Sequence, residues 1–74
     1  MKLHYYPETD SLYIEFRDRP GTDAQEVGDG IVVDLEADGN PVGIDIDAAS
    51  ERLDMSTLEL IAFPAGTPRL VQHG

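Results

Sequence analysis

Residues 30–50 read GIVVDLEADGNPVGIDIDAAS, and this stretch decides the fold. It breaks into a strand, a tight turn, a second strand and the start of a helix. Asp38-Gly39 has the composition of a two-residue type I′ turn, which needs positive φ at both central positions. If these two residues form the loop, Ala37 faces Asn40 and the pairs beyond are Leu35 with Val42, Val33 with Ile44 and Ile31 with Ile46. All six are apolar, and alternation along a strand puts all six on one face. The opposite face carries Val32, Asp34 and Glu36 against Gly43, Asp45 and Asp47. A slip of one residue would drive carboxylates into the core, so pattern and turn specify the same register. Pro41 has no amide hydrogen and fits the first residue of a strand.

Working outward toward the N-terminus, a second hairpin is legible. Residues 2–6 and 11–17 alternate as strands around Pro7-Glu8-Thr9-Asp10, the composition of a four-residue loop. That loop pairs Tyr5 with Leu12 and Leu3 with Ile14, with Phe16 extending the same apolar face. The other face pairs Lys2 with Glu15, His4 with Tyr13 and Tyr6 with Ser11. Pro20-Gly21 marks a loop. Residues 24–27 suit a short strand, and Gly28 and Gly30 around Asp29 suit a turn or bulge. Consecutive strands with short links usually lie side by side, so an antiparallel meander is expected.

Toward the C-terminus the apolar face needs a cover. Asp47 is an expected N-cap for a helix over 48–53. Ser56-Thr57-Leu58-Glu59 matches a capping box, which favours a second short helix as far as Ala62. The run 58–63 also suits a strand, because periodicity cannot assign so short a segment. Pro64, Gly66 and Pro68 end regular structure, leaving 64–74 as an expected mobile tail. The fold class is α+β: a single domain over 1–63, with a four- to five-stranded antiparallel β-meander and one or two short C-terminal helices covering one face. The expected core is Leu3, Tyr5, Leu12, Ile14, Phe16, Ile31, Val33, Leu35, Val42, Ile44, Ile46 and Leu53.

Size and charge narrow the function. A chain of 74 residues buries only ~60% of its unfolded surface. It has no cysteine, hence no disulfide or thiolate site to reinforce a small core. Oligomerisation is the remaining common support, and a homodimer joined through a sheet edge or the C-terminal segment is expected. No apolar run of ~18 residues spans a membrane. The N-terminus has Lys2 and no long apolar core, unlike a secretory signal, so a cytoplasmic location is expected. Fifteen acids oppose five bases, a net charge of −10. Eleven of those acids fall between 23 and 59, where Arg52 is the one base. Such a field repels nucleic acid and anionic membranes and attracts basic proteins. The same acid also keeps a small protein soluble.

Residues 6–14 (YPETDSLYI), 30–35 (GIVVDL), Asp38-Gly39, 42–46 (VGIDI) and Ala49-Ser50, taken in this order and spacing, resemble the bacterial small proteins grouped as domain of unknown function 2283. The likeness covers residues 1–53. Tyr6 stands where the family often has the tyrosine of a Tyr-Asp pair, with Pro7 replacing the acid. Asp45 stands where glutamate is common. The resemblance implies a strand-rich domain with a terminal helix and brings no assigned catalytic residues. Some members resemble partners of small basic toxin-like proteins, which implies an antitoxin-type role.

The residues point away from an enzyme. Ser11, Ser50 and Ser56 are explained by turns and caps, and Gly28-Asp29-Gly30 lacks the Lys and helix of a phosphate loop. No cofactor is expected. A non-enzymatic interaction module is, with Asp34, Glu36, Asp45, Asp47, Tyr6 and Tyr13 as candidate partner contacts. The alternative from another class is a divalent-metal site or metal-dependent enzyme on the acidic sheet face, using His4, Asp34 and Asp45. A purely structural homo-oligomeric domain is the third reading.

Overall fold

The computed structural model describes residues 1–64. Five strands, β1 (Lys2–Tyr6), β2 (Ser11–Glu15), β3 (Asp23–Gly28), β4 (Ile31–Leu35) and β5 (Pro41–Ile46), precede one short helix, α1 (Ala49–Arg52). The strands form one antiparallel sheet in the order β1-β2-β5-β4-β3. The fold class is therefore the expected α+β sheet with a terminal helix. Among the described residues no helix is long and apolar enough to cross a membrane.

The first hairpin has the register that its alternation specifies, from Lys2↔Glu15 to Tyr6↔Ser11. The second run, β3-β4-β5, is also a meander. The link between the two runs departs from side-by-side order, because β2 lies beside β5 rather than β3. Residues 16–22 cross the end of the sheet. Phe16 and Arg17 donate their amides to the Val42 carbonyl at 2.8 and 3.3 Å, and Thr22 donates to that of Leu35 at 2.9 Å. The arrangement follows from composition. β5 joins Ile46 to Leu12 and Ile44 to Ile14 across the centre of the sheet. β3 carries Asp23 and Glu26 and sits at an edge, where charge is tolerated and blocks unwanted strand pairing.

The central hairpin corrects its expected turn. Ile31↔Ile46 and Val33↔Ile44 pair as anticipated, but Leu35 faces Pro41 instead of Val42. Glu36 donates its amide to Asn40 at 2.8 Å, and Gly39 donates to Glu36 at 2.9 Å, closing a three-residue loop. Gly39 has φ 88°, whereas Asp38 is not among the residues with positive φ, so no type I′ turn forms. The Asp38 carboxylate accepts the Asn40 amide at 3.1 Å and its side-chain nitrogen at 3.0 Å. This side-chain turn offers the backbone a different closure from the mirror-image one. A register shift between Asp34 and Leu35 absorbs the extra residue, so the apolar set deeper in the sheet stays on one face.

The cover is smaller than expected. Leu12, Val42, Ile46 and Ala49 are buried; Ile14, Ile31 and Ile44 pack half-buried against the cluster of Leu12, Ile46 and Ala49. Phe16, Val33 and Leu35 are also half-buried. Leu3, Tyr5 and Leu53, expected in the core, are exposed. α1 contributes Ala49 to the cluster on the apolar face, and Leu53 ends the helix in an extended conformation. The second helix does not form. Ser56, expected to cap it, donates its hydroxyl and amide to Asp54, which turns the chain. Residues 58–63 are neither helix nor strand, and Leu58, Leu60, Ile61 and Phe63 are exposed. The tail expected over 64–74 lies, beyond Pro64, outside the described residues.

Candidate functional site

The polar face of the sheet gathers most of the acidic candidates. Because β5 lies between β2 and β4, Tyr13 stands opposite Asp45, Asp45 opposite Val32, and Gly43 opposite both Glu15 and Asp34. The Tyr13 ring lies diagonally over Gly43 and donates its hydroxyl to Asp34 Oδ2 at 3.1 Å. A Cβ at position 43 would overlap Tyr13 Oη and Cζ and sit 3.1 Å from the Ile14 carbonyl. Glycine is thus required by close approach, and it lets one side chain span three strands. Loss of hydration, then the hydrogen bond to Asp34, then the charges of Asp34, Glu15 and Asp45, push the Tyr13 phenol above its ordinary pKa.

Asp45 is the least comfortable carboxylate on this face. Partial desolvation is the main cause of its raised pKa, followed by repulsion from Asp47 and Asp34. Asp47 accepts a long hydrogen bond from Ser11 at 3.4 Å. The four bases among the described residues are engaged elsewhere. Lys2 is 3.9 Å from Glu15, Arg17 and Arg19 hold Glu36 at 2.8 and 3.0 Å, and Arg52 donates to the Asp29 carbonyl.

Of the sequence-derived contact candidates, Asp34, Asp45, Asp47 and Tyr13 therefore share one surface. Tyr6 is exposed at its β1 end, opposite Ser11. Glu36 lies apart, past the end of β4 and between its two arginines. His4 packs against Tyr13 with ring centroids 6.3 Å apart. The metal set His4, Asp34 and Asp45 is not brought together: among the described residues no group of three histidine or acidic side chains converges as a metal site. The hydroxyl of Tyr13 already occupies Asp34.

A second constellation escaped the sequence reading. Asp47 does not cap α1. The N-cap is Ala48, in the left-handed conformation at φ 53°, with no capping side chain of its own. The cap comes from the loop of the first hairpin. The Asp10 carboxylate accepts the Ser50 amide at 3.2 Å and the Ser50 hydroxyl at 2.6 Å, and its backbone carbonyl accepts the Ala49 amide at 2.9 Å. Tyr5 adds its hydroxyl at 2.7 Å. Hydrogen bonds from Ser50 and then Tyr5 hold the Asp10 carboxyl below its usual pKa, while Asp10 raises that of Tyr5. A carboxylate held by these donors is a poorer base, and the serine hydroxyl beside it donates to it. The cluster clamps helix to hairpin. Sequence marked Asp10 only as a turn residue; its partner lies 40 residues away.

The family model described as a protein of unknown function (DUF2283) matches residues 2–50. That span takes in all five strands and ends on Ser50, the helix side of the clamp. No curated protein and no solved structure gives a significant match.

Proposed function

The chain belongs to the DUF2283 family, and from that premise we propose a non-enzymatic protein-interaction module whose polar sheet face receives a basic protein. The observation that carries this reading is the set Asp34, Asp45 and Asp47, which share a face and hold no cation among the described residues. Mutual repulsion there is relieved when a partner supplies lysine or arginine, so like-charge strain in the free protein becomes binding energy in the complex. In its sharper form the module is an antitoxin-like binder of a small basic protein. Tyr13 stiffens the centre of the contact, and Tyr6 extends it with an exposed aromatic ring.

Affinity capture of the tagged protein from its native lysate at low and high salt, read by mass spectrometry, tests the proposal. A stoichiometric basic partner that is lost at high salt is expected. With that partner purified, Asp34→Lys and Asp45→Lys should each slow association about tenfold or more at low ionic strength. Unchanged association rates in both variants would remove this face from consideration.

A further inference from the structure

The two edges of the sheet are unlike. β3 is protected against pairing by Asp23 and Glu26 and by the register shift between Glu26 and Gly28. β1, KLHYY, has one charged residue, Lys2 at its start, which faces Glu15 at 3.9 Å, and no register shift. It contains no proline, its pairing with β2 is unbroken over five residues, and it is the only one of the five strands without a carboxylate. Leu3 and Tyr5 are 47% and 45% exposed on its apolar side, and Tyr6 is 52% exposed on the other. An open, regular, apolar edge is a template for another strand.

We propose that a second copy of this chain occupies the β1 edge, joining two five-stranded sheets into one of ten strands. An antiparallel pair with its two-fold axis at His4 uses the whole strand. Leu3 of one copy then faces Tyr5 of the other, Lys2 faces Tyr6, and His4 faces His4. The self-complementarity is that of an isologous interface. It also extends the apolar face across the junction, where Leu3 and Tyr5 otherwise meet water.

Charge selects the occupant. Each copy carries −10, so two copies can approach closely only where acid is absent or held by donors. Along β1 itself this condition is met, and Glu8, two residues past its end, is the nearest acid without a donor among the described residues. Glu15 on the neighbouring strand faces Lys2 at 3.9 Å, and Asp10 is bound by Ser50 and Tyr5. Asp45 lies on β5, two strands in from the edge. In the joined sheet the two β5 strands are five spacings apart, about 24 Å at ~4.8 Å per strand. That is more than twice the screening length of ~8 Å at physiological ionic strength. A basic partner, by contrast, is drawn to the acidic face. The inference does not depend on the acidic-face reading, since it concerns the purified protein alone and a different surface.

Sedimentation equilibrium of the full-length protein, from micromolar to millimolar concentration, is the test. The wild type is expected to dimerise. Leu3→Glu, which places an acid on β1 at an exposed position, should weaken dimerisation at least tenfold. Gln25→Glu, which adds one on β3, should leave it unchanged. A wild type that stays monomeric at millimolar concentration overturns the proposal, as does a dimer equally stable in Leu3→Glu. Should Leu3→Glu not fold, amide exchange in the wild type decides. Protection of β1 amides that rises with protein concentration, without a rise on β3, supports the β1 junction. Concentration-independent β1 exchange, or a rise confined to other segments, refutes it.

Discussion

Asp10 and Asp45 are both carboxylates of one small sheet, yet their surroundings treat them oppositely. Asp10, in the loop after β1, is met by a helix amide and two hydroxyls, and its pKa falls. Asp45, within β5, is met by desolvation and two further acids, and its pKa rises. The first is the anchor of α1; the second has no ion-pair partner among the described residues. The donors around each acid, rather than the number of acids, therefore separate the carboxylate that holds the fold together from the one that strains it.

The largest expected effect breaks the support beneath the acidic face. Gly43→Ala should destabilise the protein by about 1–3 kcal/mol, the usual range for overpacking, because the new methyl displaces the Tyr13 ring and crowds the Ile14 carbonyl. Urea unfolding measures this. Adding Tyr13→Ala should recover part of the loss, because the two residues occupy one space. Independent, additive losses would show that the close approach is unimportant.

Next in size is the helix clamp. Asp10→Asn should lower the melting temperature at neutral pH and speed exchange of the Ser50 amide. A carboxylate with a lowered folded-state pKa contributes stability above its unfolded value and loses it as pH falls through the folded one. The gap between wild type and Asp10→Asn should therefore close on acidification below the ordinary carboxylate range. A gap that persists in acid would assign the loss to geometry instead of charge.

Tyr13→Phe is smaller still. It removes one part-buried hydrogen bond to Asp34, about 1 kcal/mol, and is checked by the same urea titration. The smallest effect has the opposite sign. With its folded-state pKa raised, Asp45 costs stability while ionised, and that cost vanishes as pH falls through the folded value. Asp45→Asn should thus melt slightly higher than wild type at neutral pH, with the gain fading in acid. If Asp45→Asn melts lower at neutral pH, Asp45 belongs with Asp10 as a structural acid, and the contrast between them fails.

Features that depend on neighbours along the chain were legible in the residues alone. Alternation fixed both faces of every strand pair in the first hairpin and the inner pairs of the second, because a slip exposes apolar residues and buries acid at once. It also placed Tyr13, Asp34 and Asp45 on one polar face, given that the hairpins adjoin. Tertiary structure alone decided that they adjoin through β2 and β5, since several strand orders satisfy the same alternation. Only that order puts Gly43 beneath the Tyr13 ring and lets its hydroxyl reach Asp34. The helix cap was equally out of reach. Asp47 is the nearest acid in sequence, but Ala48 turns left-handed, and the open amide of Ser50 meets Asp10 across the sheet instead. Local rules choose among near neighbours; which distant donor finds which acceptor is settled only when the chain closes on itself.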